Sequence, residues 1–322
     1  MNKTCNIIGA GLSGCTLAYM LKRKGYNVAI FEADNKIGGL CKDDIKEGII
    51  YNPYGPHIFH TDSEIIWKFV TGFIEMNKYV HRVLTFNKNF YYYPISQGVM
   101  KENNWSVEDV YNKFVRNYTE KMWDKKLEEL GDDVQKRIRI NTGGSTAFFL
   151  DKFQGHPKNG YDELFKKLTK GIKIYYGNRV DYSKKFNCDE LIVTVPLDSF
   201  FSHAFGPLEW RGMESKNILC HQSSFQQAAS INYPGKEFEY LRITEFKKIS
   251  GQDHPWTVIG IDYPSARSKY YPVDTPDNNK RADMYRELAR KRGVMIAGRL
   301  GNYRYMNMDE TIAEAILLSN QL

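Results

Sequence analysis

The 322-residue chain has few cysteines, and they form no pattern. Cys5, Cys15, Cys41, Cys188 and Cys220 are odd in number and far apart, with no C-x-x-C pair and no histidine cluster beside them. That argues against a disulfide frame and a structural zinc, and for reduced thiols. Long apolar runs are absent too. None approaches the roughly 20 residues that a bilayer span needs, and Gly9 interrupts the apolar start before it could act as a leader. The cytoplasm is the expected compartment, with no membrane partner. A basic tail and an aromatic–basic RNA signature are also missing, so nucleic acid is not an expected partner. There are no repeats or low-complexity tracts. A serine elbow, a paired-carboxylate motif and a metal-ligand cluster are lacking as well, which leaves no metal site to predict and removes the usual hydrolytic chemistries.

What is present is a globular composition, 42% hydrophobic and 26% charged, with chain enough for two or three units. Lys and Arg exceed Asp and Glu by 45 to 38, a net charge of +7. The excess is spread over helix faces such as 121–126 and 286–292, so it favours an anionic ligand only weakly.

The first forty residues are the most informative. Cys5–Ile8 reads as a short buried strand. Gly9, Gly11 and Gly14 form G-x-G-x-x-G, and Cys15, Leu17, Ala18 and Leu21 continue at helical spacing. Gly25 ends that helix, Val28–Phe31 is a second strand, and Glu32 closes it. This is a βαβ unit with a phosphate turn: the glycines let backbone approach a pyrophosphate, the helix N-terminus offers free N–H groups, and Glu32 can accept from a ribose. Gly38, Gly39 and Leu40 follow in I-G-G-L, and the spacing E-x(5)-G-G favours FAD over NAD as the cofactor.

The run YGPHIFHT, residues 54–61, then sets His57 and His60 three apart. From the run alone they could be metal ligands, an acid/base pair or ordinary strand residues. The segment G-P-H-I-F-H-T resembles GAHIFHT of the UDP-galactopyranose mutases. In the same order, YTEKMWD (118–124) resembles YTEKQWG, FQGHPKNGY (153–161) resembles YQGIPVGGY, and FGPLEWR (205–211) resembles FGALEYR. YLRITEFK (240–247) is similar to YTRIIEHK, YYPV (270–273) matches, and GRLGNYRYMNM (298–308) resembles GRLAEYKYYDM.

That resemblance implies a flavin-dependent isomerase that interconverts pyranose and furanose forms of a UDP-sugar, with galactose the default. The active cofactor is reduced FAD, whose N5 takes the anomeric carbon as a flavin–sugar adduct while the diphosphate leaves and returns. The protein then grips a dianionic leaving group and aims the sugar, and the cofactor carries the nucleophile. The resemblance puts His57 and His60 on the flavin's ring face, Arg242 on the diphosphate, and Arg299 between flavin and pyrophosphate. Tyr161, Tyr271 and Tyr305 match phenols that bond phosphate or sugar, and Trp123 matches a wall of the base pocket. A helix starting near Met308 would point its N-terminus at the flavin.

Two departures concern the ligand. KRIRINT (136–142) stands where the family has KRIPVRF, so Asn141 replaces an arginine that grips the diphosphate, and Arg139 is the candidate substitute. Asn307 stands where YYDM has aspartate. The sugar or nucleotide could therefore differ from UDP-galactose. Only 23 residues, 95 to 117, separate YYYP from YTEKMWD, which shortens a helical insert that commonly carries the family's dimer contact. A monomer or another homodimer is expected.

The expected architecture is α/β: a Rossmann-type FAD-binding domain, a small helical insert and an antiparallel sheet domain. The expected divisions are 1–80, 178–217 and 290–322 for the first, 95–150 for the second, and 81–94, 151–177 and 218–289 for the third. An amine-oxidase-like oxidoreductase is the alternative of a different reaction class.

Overall fold

The computed structural model describes residues 2–131 and 144–322. Its first layer is a five-stranded parallel sheet in the order Val294–Ile296, Glu190–Val193, Thr4–Ile8, Asn27–Phe31, Lys173–Tyr175. Its central strands carry the most buried residues, Cys5, Ile7 and Ile8 on one and Ile192 and Val193 on the next, while Lys173–Tyr175 at the edge has none fully buried. The helix Leu12–Arg23 packs Cys15, Leu17, Ala18 and Leu21 onto it, and Met308–Asn320 lies alongside with Ile312 and Ala315 in the same core. Lys22 and Arg23 in the last turn suit the negative end of the Leu12–Arg23 helix.

The second layer is a seven-stranded sheet ordered Tyr271–Pro272, Trp210–Cys220, Thr257–Ser265, Arg242–Glu245, Ser230–Asn232, Val83–Asn87, Asn89–Tyr93. All its pairs are antiparallel except Ser230–Asn232 with Val83–Asn87. The insert between them opens with two serine caps, Ser96 on Gln97–Glu102 and Ser106 in a capping box with Asp109. The second helix runs from 107 to 123 and widens into a π-helical stretch at Tyr111–Arg116. There the adjacent Phe114 and Val115 are both buried, which a regular 3.6-residue turn does not favour.

The divisions move in three places. Segment 151–177 belongs with the first layer: Phe153–Gly155 pairs with Phe59–Thr61, Leu164, Phe165 and Leu168 join the Leu17–Leu21 core, and Lys173–Tyr175 is the fifth strand of the parallel sheet. Helix Pro276–Lys291 also packs there, through Ala282, Tyr285 and Ala289 against Phe200 and Val294. The strand Trp210–Cys220 begins the second sheet eight residues before the expected boundary at 218. Strand partners decide each case, and they are remote in sequence. No helix among the described residues is long and apolar enough to cross a membrane, and they hold no group of His, Cys, Asp and Glu placed to bind a metal.

Candidate functional site

The phosphate turn is assembled by close backbone contact. Gly9 has φ +103°, and a Cβ on Gly14 would sit 2.0 Å from the Gly9 carbonyl oxygen, so only glycine lets helix meet strand here. Glu32 receives the Ala10 N–H on Oε2 at 2.7 Å and the Asp34 N–H on Oε1 at 2.8 Å, which leaves lone pairs on both oxygens for a ribose. Gly38, in the left-handed region, bridges to Gly11, and a Cβ on Gly39 would lie 3.0 Å from the Gly11 Cα. Leu40 packs against the Met122–Trp123 cluster.

The Ser13 hydroxyl, one residue into the helix, is buried with no partner among the described residues, and Asp309 Oδ1 is likewise orphaned among them in the first turn of Met308–Asn320. Asn307 caps that helix in a capping box with Glu310. A glycine cradle without room for Cβ atoms, an orphaned hydroxyl and two helix N-termini fit a dinucleotide such as FAD.

A cavity of about 350 Å³ opens beside this cradle, walled by Arg242, Asn232 and Val83 of the second sheet, by His57 and Met308 of the first layer, and by Trp123 of the insert. Arg242 directs Nε and Nη2 to Asp262 Oδ2 at 2.9 and 2.7 Å. Asp262 is 1% exposed, and its other oxygen accepts the Ser215 hydroxyl at 2.5 Å. Arg242 stays charged in spite of its partial burial because that carboxylate faces it. Arg299 donates from Nε to the Met306 carbonyl at 2.9 Å, and its guanidinium lies 5.0 Å from the ring centres of both Tyr271 and Tyr305. Those two rings stack 5.2 Å apart at 12°, and both line the cavity.

His57 is held by its backbone: its N–H reaches Asn52 Oδ1 at 3.4 Å, and its carbonyl accepts the Tyr161 hydroxyl at 3.0 Å. Burial, with Arg299 adding to it, pushes the imidazole down to about 3, so it is neutral at physiological pH. His60 Nδ1 lies 3.1 Å from Asp151 Oδ2, close but not aligned as a hydrogen bond, and its ring stacks on Phe149 at 3.7 Å.

The family model for UDP-galactopyranose mutase matches residues 113–305, and one for an NAD(P)-binding Rossmann-like domain matches 7–73. A probable UDP-galactopyranose mutase of Klebsiella pneumoniae is 30% identical over 99% of this chain and 94% of its own length. The chain belongs to the UDP-galactopyranose mutase family. It is therefore an isomerase of the mutase class. A dTDP-fucopyranose mutase of Escherichia coli is 29% identical over 98% of this chain and 97% of its own. A crystal structure of a reduced UDP-galactopyranose mutase shares the fold, with a TM-score of 0.80 at 13% identity, over 100% of this chain and 94% of that one.

Of the residues that the mutase motifs single out, His57, His60, Trp123, Arg242, Tyr271, Arg299, Tyr305 and Met308 come together on the cavity wall. Tyr161 does not. It is fully buried, and the His57 carbonyl takes its hydroxyl, so in this structure it braces the histidine segment instead of reaching a ligand. Arg139 and Asn141 lie outside the described residues. Sequence reading missed Asp262, His81, Phe114, Tyr118 and Phe149. Asp262 had a signal: a lone carboxylate in the apolar strand WTVIGIDYP needs a buried cation opposite it.

Proposed function

We propose that this chain interconverts the pyranose and furanose forms of a UDP-sugar, UDP-galactose by default, with reduced FAD in the glycine cradle. The observation that carries this reading is one cavity joining Arg242 and the Arg299–Tyr271–Tyr305 cluster to the N-terminus of Met308–Asn320. When bound, a reduced flavin would supply the nucleophile for the anomeric carbon. Arg242 and Arg299 hold the departing diphosphate by charge, each fixed in advance by Asp262 or by a carbonyl. Tyr271 and Tyr305 offer hydroxyls to the phosphates. Trp123, Phe114 and Tyr118 wall the base end. Neutral His57 would meet the sugar without competing for the anion, and the first turn of Met308–Asn320 would offer its N–H groups to the negative charge of a reduced flavin.

The test is to incubate dithionite-reduced, FAD-loaded protein with UDP-galactofuranose and look for UDP-galactopyranose by chromatography, with oxidised protein as control. Conversion in the reduced sample alone is expected. Conversion in neither, with flavin bound and reducible, sinks the galactose reading. A second reading keeps the chemistry and changes the nucleotide sugar. The similarity to the dTDP-fucopyranose mutase, together with the apolar base wall of Phe114 and Val115, favours it, and thymidine substrates belong in the same assay. Steady oxygen consumption with an amine would instead indicate an oxidase.

A further inference from the structure

His57 is held by its backbone on both sides, and both holds lead back to one carboxylate. The His57 N–H reaches Asn52 Oδ1 at 3.4 Å, and Asn52, itself buried, donates from Nδ2 to Asp43 Oδ1 at 2.8 Å. The His57 carbonyl accepts the Tyr161 hydroxyl. Tyr161 is followed by Asp162, whose N–H donates to Asp43 Oδ2 at 2.8 Å, and the Tyr161 N–H faces the same carboxylate. In return the Asp43 N–H donates to Asp162 Oδ1 at 3.1 Å. Packing is close: a Cβ on Gly160 would sit 2.2 Å from Asp43 Oδ2. Asp43 lies just past the cradle turn Gly39–Cys41.

Asp43 is 3% exposed. Among the described residues every hydrogen bond to its carboxylate comes from an N–H, so the arrangement suits the charged form. Burial opposes that charge. Burial first, and then the nearby Asp162, raises the carboxyl to about 7, against the pull of the N–H groups and of Lys36. The ionisable groups that face Asp43 are Asp162 and Lys36, paired at 2.7 Å, with Tyr161 and Cys41, whose protons burial retains. Lys42, its neighbour in sequence, turns to Asp34. A proton on Asp43 relieves the cost of the buried charge and weakens its N–H bonds. Stability and position therefore respond to that proton in opposite senses.

We infer that Asp43 is a positioning residue for His57: as a carboxylate it ties the histidine segment to the cradle through Asn52 and the start of Asp162–Leu168, and on protonation that tie slackens. This rests on the reading above, in which His57 meets the sugar. His57 is neutral throughout the range in question, so what it does depends on where its ring stands and not on its own titration. Asp262 and the Met306 carbonyl hold Arg242 and Arg299 independently of Asp43. The grip on the diphosphate therefore stays when the tie slackens, and the aim of the sugar is lost.

The first measurement is hydrogen exchange at the His57 amide, by NMR of FAD-loaded protein labelled with nitrogen-15 histidine and corrected for the intrinsic pH dependence of exchange. Protection is expected to fall about tenfold between about pH 8 and about pH 6, the free energy of about one hydrogen bond. In Asp43→Asn it is low at both ends of the range, and in Asn52→Ala the pH step is gone although Asp43 remains. Equal protection in wild type and Asp43→Asn, or a pH step that survives Asn52→Ala, overturns the inference. The second measurement is turnover of UDP-galactofuranose by the dithionite-reduced protein. Wild-type kcat is expected to fall about tenfold over the same range with KM steady, and Asp43→Asn gives a flat profile at the lower rate. An acid limb that persists in Asp43→Asn belongs to another group and overturns the inference. Should wild type turn over no nucleotide sugar while the exchange results hold, the function proposed above falls and the tie of Asp43 to His57 stands. Asn52→Ala decides the matter should Asp43→Asn not fold.

Discussion

The glycine cradle and the sheet wall both prepare for an anion, and they do so by opposite means. The cradle uses backbone: close-packed Gly9, Gly14 and Gly39, the helix N-termini and a carboxylate, Glu32, bound by two N–H groups. The wall uses side-chain charge, and each guanidinium is anchored, Arg242 by buried Asp262 and Arg299 by the Met306 carbonyl. A cradle of dipoles fails when space is taken away. A wall of paired charge fails when a partner is removed.

The largest way to break the contrast is on the wall. Asp262→Ala leaves the part-buried Arg242 without its partner and is expected to cost about 3 kcal/mol in denaturant unfolding, with turnover lost even where folded protein survives. A change of less than 1 kcal/mol would mean that water or another group already pairs with Arg242. On the cradle side, Gly14→Ala drives a Cβ into the Gly9 carbonyl, with an expected cost of about 1–3 kcal/mol and loss of flavin from the purified protein. Full flavin occupancy would show that helix and strand can part.

A pH series sharpens the comparison. Burial, before any other cause, pushes His57 and His81 to about 3 and His156 to about 4. Their folded values are below the unfolded one near 6.5, so the unfolded chain binds the extra protons as pH falls below that point. Stability is then lost on going from pH 6.5 toward 4. Asp43 acts in the opposite sense: burial raises it to about 7, so the folded state takes its proton first and gains stability over part of the same range. Three imidazoles against one carboxyl leave a net loss, expected as a urea midpoint lower at pH 4.5 than at 6.5. A flat profile would mean that the histidines titrate in the folded state. The smallest effect belongs to Asn307→Asp, which keeps the capping box and adds charge at a helix N-terminus. A gain of about 0.3–1 kcal/mol is expected in thermal unfolding, together with a harder flavin reduction. An unchanged flavin potential would detach this helix end from the cofactor.

How much could be read in advance follows the same division. The βαβ unit, Glu32, the Gly38–Gly39 pair, the Ser106 cap and the helix start at Met308 were all legible, because each depends on residues within a turn or two, or on one short crossover. The motif residues Arg242, Arg299, Tyr271 and Tyr305 were legible through resemblance, and the structure brings them to one cavity. Tyr161 was misplaced because a motif position does not say whether a hydroxyl faces a ligand or the His57 carbonyl. That His60 and His81 share Phe149 carried no signal, since their segments and residues 147–150 meet only in the fold.

By itself, the sequence determined the dinucleotide cradle, since glycine sterics and helix dipoles act over a few bonds. It also determined the order of secondary elements around that cradle. Only the tertiary structure decided that Lys173–Tyr175 completes the parallel sheet, that Asp262 faces Arg242 across neighbouring strands, and that two imidazoles share Phe149. Those are pairings between remote segments. Burial makes them strong, because a low-dielectric interior raises the cost of any charge or donor left alone.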